Sequence, residues 1–123
     1  MKIIEMKPII VEMLSSVEGL KDYSATYPSK WNEPMPIAIY RTAQRPHFID
    51  LGRREEYQTH WTITIEIYTD QGSLTDIRNE IVSKFNAIGF TGNGHDSNTA
   101  NLNRVVCEFK GIVDNNMGLV YKA

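Results

Sequence analysis

The segment THWTITIEIYTD at residues 59–70 alternates apolar and polar side chains more strictly than any other part of the chain. Side chains of a β-strand point alternately to its two faces, so this pattern predicts a strand with one apolar and one polar face. The apolar face needs a core to cover it, whereas the polar face suits water, a ligand or another copy of the protein. The apolar positions are Trp61, Ile63, Ile65 and Ile67, and the polar ones are His60, Thr62, Thr64, Glu66 and Tyr68.

Two other segments repeat apolar residues at intervals of three and four, which is typical of an amphipathic helix. The first covers residues 8–20, starts with Pro8 in the first turn and has Gly19 as its expected end. The second follows Ser73, a candidate N-cap residue, and ends before Gly89. Its apolar stripe consists of Leu74, Ile77, Ile81, Phe85 and Ile88.

The remaining segments predict further strands and the turns between them. Residues 48–51 are expected to pair with residues 55–59 in a hairpin whose tip extends past the sheet. Residues 42–46, which end in Pro46, are expected to interrupt the preceding strand, and the small polar residues 91–101 predict a flexible loop. Strands are predicted at residues 37–42, 47–51, 104–113 and 119–121, with a weaker pattern at 21–27.

Strands that are joined mostly by hairpins, together with two helices that need a common surface, predict an α+β fold. We expect a single antiparallel or mixed sheet of four to five strands, with both helices packed on the face of Trp61 and Ile65. The 123 residues, 41% of them hydrophobic and 23% charged, fit one domain covering residues 1–123 with a core of its own.

Charge and cysteine content narrow the classes of function. A net charge of −2 argues against general nucleic-acid binding, which depends on Lys and Arg. Arg53 and Arg54 are followed at once by Glu55 and Glu56, so the predicted hairpin tip carries mixed charge. The single cysteine, Cys107, fits a reducing compartment and a buried position in its strand. No apolar run is long enough for a membrane span, so we expect an intracellular protein without a membrane partner.

No constellation of residues points to catalysis, a metal or a cofactor. The three histidines are scattered, and no pair of ligands has the spacing of a metal site. The run His95-Asp96-Ser97 has the residue types of a hydrolase triad, but consecutive residues on a loop do not supply its geometry. The glycines at 92 and 94 follow a helix rather than precede one, unlike a phosphate-binding loop. We therefore expect no metal, no cofactor and no enzymatic activity.

The polar face of the long strand, the hairpin tip and the short terminal strand instead favour contacts with protein. Trp31 has two interpretations, since it suits either an interface or a lid over the edge of the core. The candidate interface residues are Trp31, Arg53, Arg54, Glu55, Glu56, His60, Thr62, Thr64, Glu66, Tyr68 and Tyr121.

The order of segments resembles a known family. An N-terminal helix and a Tyr-Pro pair at 27–28 are followed by PIAI at 36–39, a hairpin and TITIEIY at 62–68. The helix LTDIRNEI at 74–81 and the Arg-led strand RVVCEFKGI at 104–112 complete the pattern. In this order the chain resembles the tail terminator and tail completion proteins of long-tailed bacteriophages and their prophage relatives.

The resemblance implies a sheet with helices on one face and a ring, hexameric in the family, that caps the tail tube and joins tail to head. Its implied partners are other copies of itself, the tail tube protein, head–tail connector proteins and DNA that passes through the lumen without specific binding. The implied location is the host cytoplasm during assembly and then the virion tail. The family shares no catalytic residues, and either a terminator or a head-side completion role fits.

Two alternatives belong to other classes. One is a small intracellular α+β ligand-binding or enzymatic domain with a pocket beside the 91–101 loop, lined by threonines, His60 and Tyr68. The other is an intracellular dimer without a defined role.

Overall fold

Six strands of the described chain form one mixed sheet, and two helices cover one side of it. The computed structural model describes residues 2–28, 34–53, 55–99 and 101–123. In chain order the elements are α1 (Lys7–Ser15), β1 (Asp22–Ser24), β2 (Ile37–Asp50), β3 (Glu55–Thr69), α2 (Thr75–Ala87), β4 (Thr91–Asp96), β5 (Asn103–Asp114) and β6 (Val120–Lys122).

The strand order in the sheet is β1-β2-β3-β5-β4, and β6 also pairs with β5. Among the described strands, β1 and β2 pair in parallel and the other pairs are antiparallel. β5 pairs over its whole length with β3, from Asp114 opposite Gln58 to Asn103 opposite Thr69. β4 and β6 therefore lie end to end on the other side of β5. The predicted α+β class is confirmed, with five strands in the main order and a sixth beside them.

The core lies between the helices and the apolar face of β3, as predicted. Trp61, Ile63, Ile65 and Ile67 are buried and belong to one cluster with both helices. Within it, the ring of Phe85 from α2 stacks on Phe109 of β5 with a centroid distance of 4.6 Å. Phe90 meets Phe85 edge to face at 6.3 Å. The helix residues of the cluster are Ile10 and Leu14 from α1 and Ile77, Ile81 and Phe85 from α2.

The ends of both helices differ from the predicted ones. α1 stops at Ser15 rather than at residue 20, and the hydroxyls of Ser15 and Ser16 donate to backbone carbonyls one turn back. Serine side chains compete with the helix for these carbonyls, which explains the early end. At α2 the N-cap position belongs to Leu74, and Ser73 precedes it and accepts a hydrogen bond from the N–H of Thr75 at 3.2 Å.

β2 continues through residues 42–46, where a break was expected. The register shifts only around Phe48, between Pro46 and Ile49, which is a bulge rather than an interruption. The predicted hairpin is confirmed, because Phe48 pairs with Gln58 and Ile49 with Glu56. The last partner of β3 in β5 is Asp114, opposite Gln58, so the tip of the hairpin extends past β5.

The predicted flexible loop at 91–101 is wrong for its first half, which is the edge strand β4. Gly92 and Gly94 lie against the helix side of β5, opposite Phe109 and Cys107. A Cβ atom at position 94 would come within 2.7 Å of the Cys107 Sγ atom and 2.8 Å of Arg78 Cγ. Glycine is needed there because Cys107 and Arg78 lie too close for a side chain. Without apolar side chains at 92 and 94, the segment lacks the alternation by which a strand is recognised in a sequence.

Candidate protein interface

The face of the sheet opposite the helices, which we call the outer face, carries the polar residues of β3. The pairing registers place its side chains in rows that run across the strands. Arg45, His60, Ile112 and Tyr121 form one row. Ala43, Thr62, Lys110 and Thr91 form the next, and Arg41, Thr64, Glu108 and Asn93 form the third. These rows define the surface that the sequence offered as an interface.

At one end of the outer face, a buried carboxylate collects four donors, a group we call the Glu66 cluster. Glu66 is only 2% exposed. Its Oε1 atom accepts hydrogen bonds of 2.8 Å from the Nη2 atoms of Arg41 and Arg104. Its Oε2 atom accepts from the hydroxyls of Tyr27 and, at 3.2 Å, Tyr68. The guanidinium of Arg104 also lies 5.7 Å from the centre of the Tyr68 ring.

The proton affinities in the cluster follow from this arrangement. Burial raises the pKa of Glu66. The hydrogen bonds from Tyr27 and Arg104 and the positive charges of Arg41 and Arg104 lower it by more, so the pKa lies below its ordinary value. Burial and then the negative charge of Glu66 raise the pKa of Tyr68 to about 12. At neutral pH an ionised carboxylate is therefore held by two cations and two protonated hydroxyls. This arrangement anchors the chain around Tyr27 to the sheet.

Apolar side chains close the same end of the outer face. Ile37, Ile39 and Tyr68 are buried in a second small cluster, against which Met35 and Leu102 pack. Glu66 and Tyr68, which the alternation placed on an open polar face, are thus inside the fold. The part of the outer face that stays accessible lies nearer the hairpin, around Thr62, Thr64 and His60.

The accessible part of the outer face is shallow and mildly basic. An open depression of about 100 Å³ is lined by Ala43, Gln44, Arg45, His60 and Thr62, and an open neighbouring one of about 320 Å³ is lined by Arg41, Thr42, Ala43, Thr62 and Thr64. Burial, followed by the positive charges of Arg45, His47 and Lys110, lowers the pKa of His60. At neutral pH this face therefore presents threonines and a neutral imidazole beside cations, which suits a polar protein surface.

The predicted pocket beside residues 91–101 is small. It has a volume of about 160 Å³ and is lined by Asp96, Asn98 and Asn103 together with the residues before α2. Ligand sites typically enclose roughly 300 to 1,000 Å³. Neither His60 nor Tyr68 lines it. It differs in both size and lining from the pocket that the ligand-binding alternative requires.

The hairpin tip is more apolar than its charged residues indicate. Phe48, Ile49 and Leu51 are exposed, Leu51 at 83%. The rings of Phe48 and Tyr57 lie 5.9 Å apart across the hairpin. We call these four residues the tip patch. The sequence predicted the projecting tip but assigned its interface role to charges, because 48, 49 and 51 read as ordinary strand residues.

The charged tip residues and Trp31 have different placements. Arg53 is exposed, Glu55 and Glu56 are half-buried, and the Glu56 carboxylate accepts a hydrogen bond from the hydroxyl of Thr59. Trp31 and Arg54, also predicted interface residues, lie outside the described residues.

A second exposed apolar group lies at the opposite edge of the sheet. Met117, Leu119 and Tyr121, in the turn before β6 and in β6 itself, are exposed, Met117 at 65%. We call them the terminal patch. Of the three, only Tyr121 was a predicted interface residue. The missed residues follow a turn motif, in which the side chain of Asp114 accepts hydrogen bonds from the N–H groups of Asn116 and Met117.

The described part of the chain holds no group of three or more His, Cys, Asp or Glu side chains that are placed to bind a metal. Cys107 is buried in β5, and burial raises the pKa of its thiol to about 11. Among the same residues, neither helix has the length and apolar character to cross a membrane. Comparison with protein-family profiles, curated proteins and solved structures finds no match for this chain.

Proposed function

We propose that the chain is a structural assembly protein of a bacteriophage or prophage tail. In this proposal its copies form a ring, hexameric as in the family it resembles, that caps the tail tube and joins the tail to the head. Its partners are then the tail tube protein and head–tail connector proteins, with DNA passing through the lumen. It acts in the host cytoplasm during assembly and then in the virion, and carries no catalytic site.

The observation that carries the proposal is the projecting hairpin with its exposed tip patch. Exposed apolar groups beyond isolated residues usually mark surfaces that bind other proteins. Here Ile49 and Leu51 lie on a two-stranded arm past the end of β5, and Phe48 lies at the base of this arm, level with the last residue of β5. Such an arm suits contact with a neighbouring subunit or with the tube below.

The terminal patch and the sheet edges add to this support. Leu119 and Tyr121 are exposed at the opposite edge of the sheet, so each copy has an apolar group at each of its two edges. Two different contact surfaces on one copy allow head-to-tail assembly, and such assembly closes into a ring when the rotation permits. The depressions of the outer face are open to solvent rather than enclosed, which gives less support to a small-molecule site.

The proposal is tested by the mass of the protein in solution and by its effect on tail tubes. Light scattering across a wide concentration range, with negative-stain images, is expected to show hexameric rings. When tubes are polymerised from the tail tube protein of the same genome, the chain is expected to bind their ends and stop their growth. The variant Leu51→Ser should weaken both effects, whereas Ser83→Ala, on the exposed side of α2, should change neither.

A protein that forms no ring and leaves tube growth unchanged would overturn the proposal. A rise in melting temperature with small-molecule ligands, in a protein that stays monomeric, would favour a ligand-binding domain instead.

A further inference from the structure

We infer that the edge of β2 beyond Ile39, on which no other described strand pairs, joins the edge formed by β4 and β6 of the next copy, so that assembly continues the sheet from subunit to subunit. The inference rests on the proposed function in one respect, since both need self-association. It goes further by naming the two surfaces that meet and the way their strands run.

The first surface is the long free edge of β2. β1 pairs with β2 only at residues 37–39. From residue 40 to residue 50, no other strand in the described part of the chain lies on the side of β2 that faces away from β3. An edge of this length is a template for pairing with another chain.

The second surface is the opposite edge of the sheet. β4 pairs with residues 105–110 of β5, and β6 pairs with residues 111–113. Together they make one nearly continuous edge, and within the described residues no further strand pairs with its outer side. Its exposed side chains include Thr91, Asn93 and Tyr121.

The two edges match in level and in facing. Arg45 lies in one row with Tyr121, and Ala43 lies in one row with Thr91. Each row keeps its side chains on the outer face, because strand partners opposite one another point to the same side. A neighbour placed beside the sheet without a shift along the strands therefore brings these residues opposite one another, with the outer faces continuous.

The strand directions match as well. β2 runs antiparallel to β3, β3 to β5, and β5 to both β4 and β6. β4 and β6 therefore run opposite to β2, and a neighbour in the same orientation adds an antiparallel pair. Antiparallel strands form straight hydrogen bonds and tolerate exposure on one face, as the outer face requires.

The tip patch and the terminal patch meet in the same arrangement. Phe48 is opposite Gln58, which is opposite Asp114, whose N–H donates to the carbonyl of Leu119 at 2.8 Å. Phe48 and Leu119 therefore lie at one level on opposite edges of the sheet. Pairing of the edges brings them together between copies and removes both from water, which favours association.

The contact is heterologous, because the two edges are different surfaces of the same chain. Repeating it gives a ring when each step rotates the next copy by a closing angle, and an open fibre otherwise. A symmetric dimer through two β2 edges is the competing arrangement, and the experiment below separates it from the ring.

Disulfide cross-linking tests the pairing in the full chain. The double variant R45C/Y121C places thiols at the two edges of each copy. Within one copy three strand spacings, roughly 14 Å, separate these positions, too far for a disulfide, which needs Cα atoms within roughly 7 Å. A bond between them therefore joins two copies. A43C/T91C tests the neighbouring row, and R45C/S83C is the control, since Ser83 is equally exposed but lies on α2.

After mild oxidation, R45C/Y121C and A43C/T91C are expected to give a ladder of covalent oligomers on a non-reducing gel, ending at the subunit number of the ring. R45C/S83C and the single variants should stay uncrosslinked. Dimers from R45C alone would overturn the inference in favour of a β2–β2 contact.

If light scattering and negative-stain images show rings but oxidation gives no ladder of covalent oligomers, the pairing is overturned while the proposed function stays intact. Absence of rings together with unchanged tube growth would remove the proposed function as well.

Discussion

Replacement of Glu66 by glutamine tests whether the buried carboxylate stabilises the end of the outer face at which the Glu66 cluster lies. The variant Glu66→Gln keeps the size of the side chain but removes its charge and leaves one acceptor oxygen in place of two. Both guanidinium groups then lose the anion to which each donates at 2.8 Å.

The magnitude follows from how far each cation is buried. Removing one partner of a buried ion pair costs roughly 3 to 5 kcal/mol, because the remaining charge is left uncompensated. The side chain of Arg41 is 53% exposed, so water replaces much of what it loses, and its share is close to the roughly 0 to 1 kcal/mol of surface pairs. Arg104 is 26% exposed and loses more. We expect a total loss of roughly 2 to 3 kcal/mol.

Urea unfolding measures this loss. With an m value of roughly 1.5 kcal/mol/M, typical of small proteins, the midpoint should fall by roughly 1.3 to 2 M. The matched control is Glu108→Gln, on the same face of the sheet. The Glu108 carboxylate and the Lys110 amine are 3.7 Å apart and both are half exposed, so its effect should stay within about 0.5 kcal/mol.

The dependence on pH supplies a second readout. The pKa of Glu66 is lowered in the folded chain by its hydrogen bonds and by the two arginines, which outweigh burial. Its contribution is therefore complete above the unfolded value of about 4.3 and is lost as the pH falls through the lower folded value. The difference between wild type and Glu66→Gln should be largest near neutral pH and narrow below about pH 4. A variant as stable as wild type at neutral pH, or a gap that persists in acid, would refute the reasoning.

Three further variants or reactions test the core and the edge strand. Phe85→Ala removes a ring that stacks on Phe109 at 4.6 Å and should lower the free energy of unfolding by roughly 3 to 5 kcal/mol in urea titrations, while Ser83→Ala on the same helix should change it little. Gly94→Ala, whose Cβ would come within 2.7 Å of Cys107 Sγ, should cost roughly 1 to 3 kcal/mol by the same assay, and equal stability of Gly94→Ala and Asn93→Ala would contradict this. The Cys107 thiol, whose pKa burial raises to about 11, should not react with Ellman's reagent in the folded protein but should react fully in urea, and rapid native reaction would show that β5 is accessible.

The sequence predicts best those elements in which one periodic pattern runs from end to end. β3 shows strict alternation from Trp61 to Ile67, and its apolar face is buried as expected. Residues 91–96 lack such a pattern, because close approach to β5 requires glycine at 92 and 94 in place of strand-forming side chains. The packing that makes β4 a strand is therefore the same packing that removes its signal from the sequence.

The burial of Glu66 could not be read from the sequence for a different reason. Alternation assigns the residue to a face, but what covers that face comes from distant segments. Tyr27 is 39 positions away and Arg104 is 38 positions away. Local patterns carry no information on such contacts. The exposure of Leu51 and Met117 also depends on distant segments. It follows from where β5 and β6 end and begin, which the residues around 51 and 117 do not reveal.

The Glu66 cluster also bears on where the pairing of β1 with β2 ends. β1 ends at Ser24, and the chain then places Tyr27 against Glu66 on the outer face instead of continuing along β2. As far as the described residues go, the same contacts that stabilise one copy therefore leave residues 40–50 of β2 open to another. Stability of the monomer and the capacity for edge pairing are linked through this turn of the chain. Glu66→Gln therefore tests the stability of one copy, whereas cysteines at 45 and 121 test the pairing between copies without touching the Glu66 cluster.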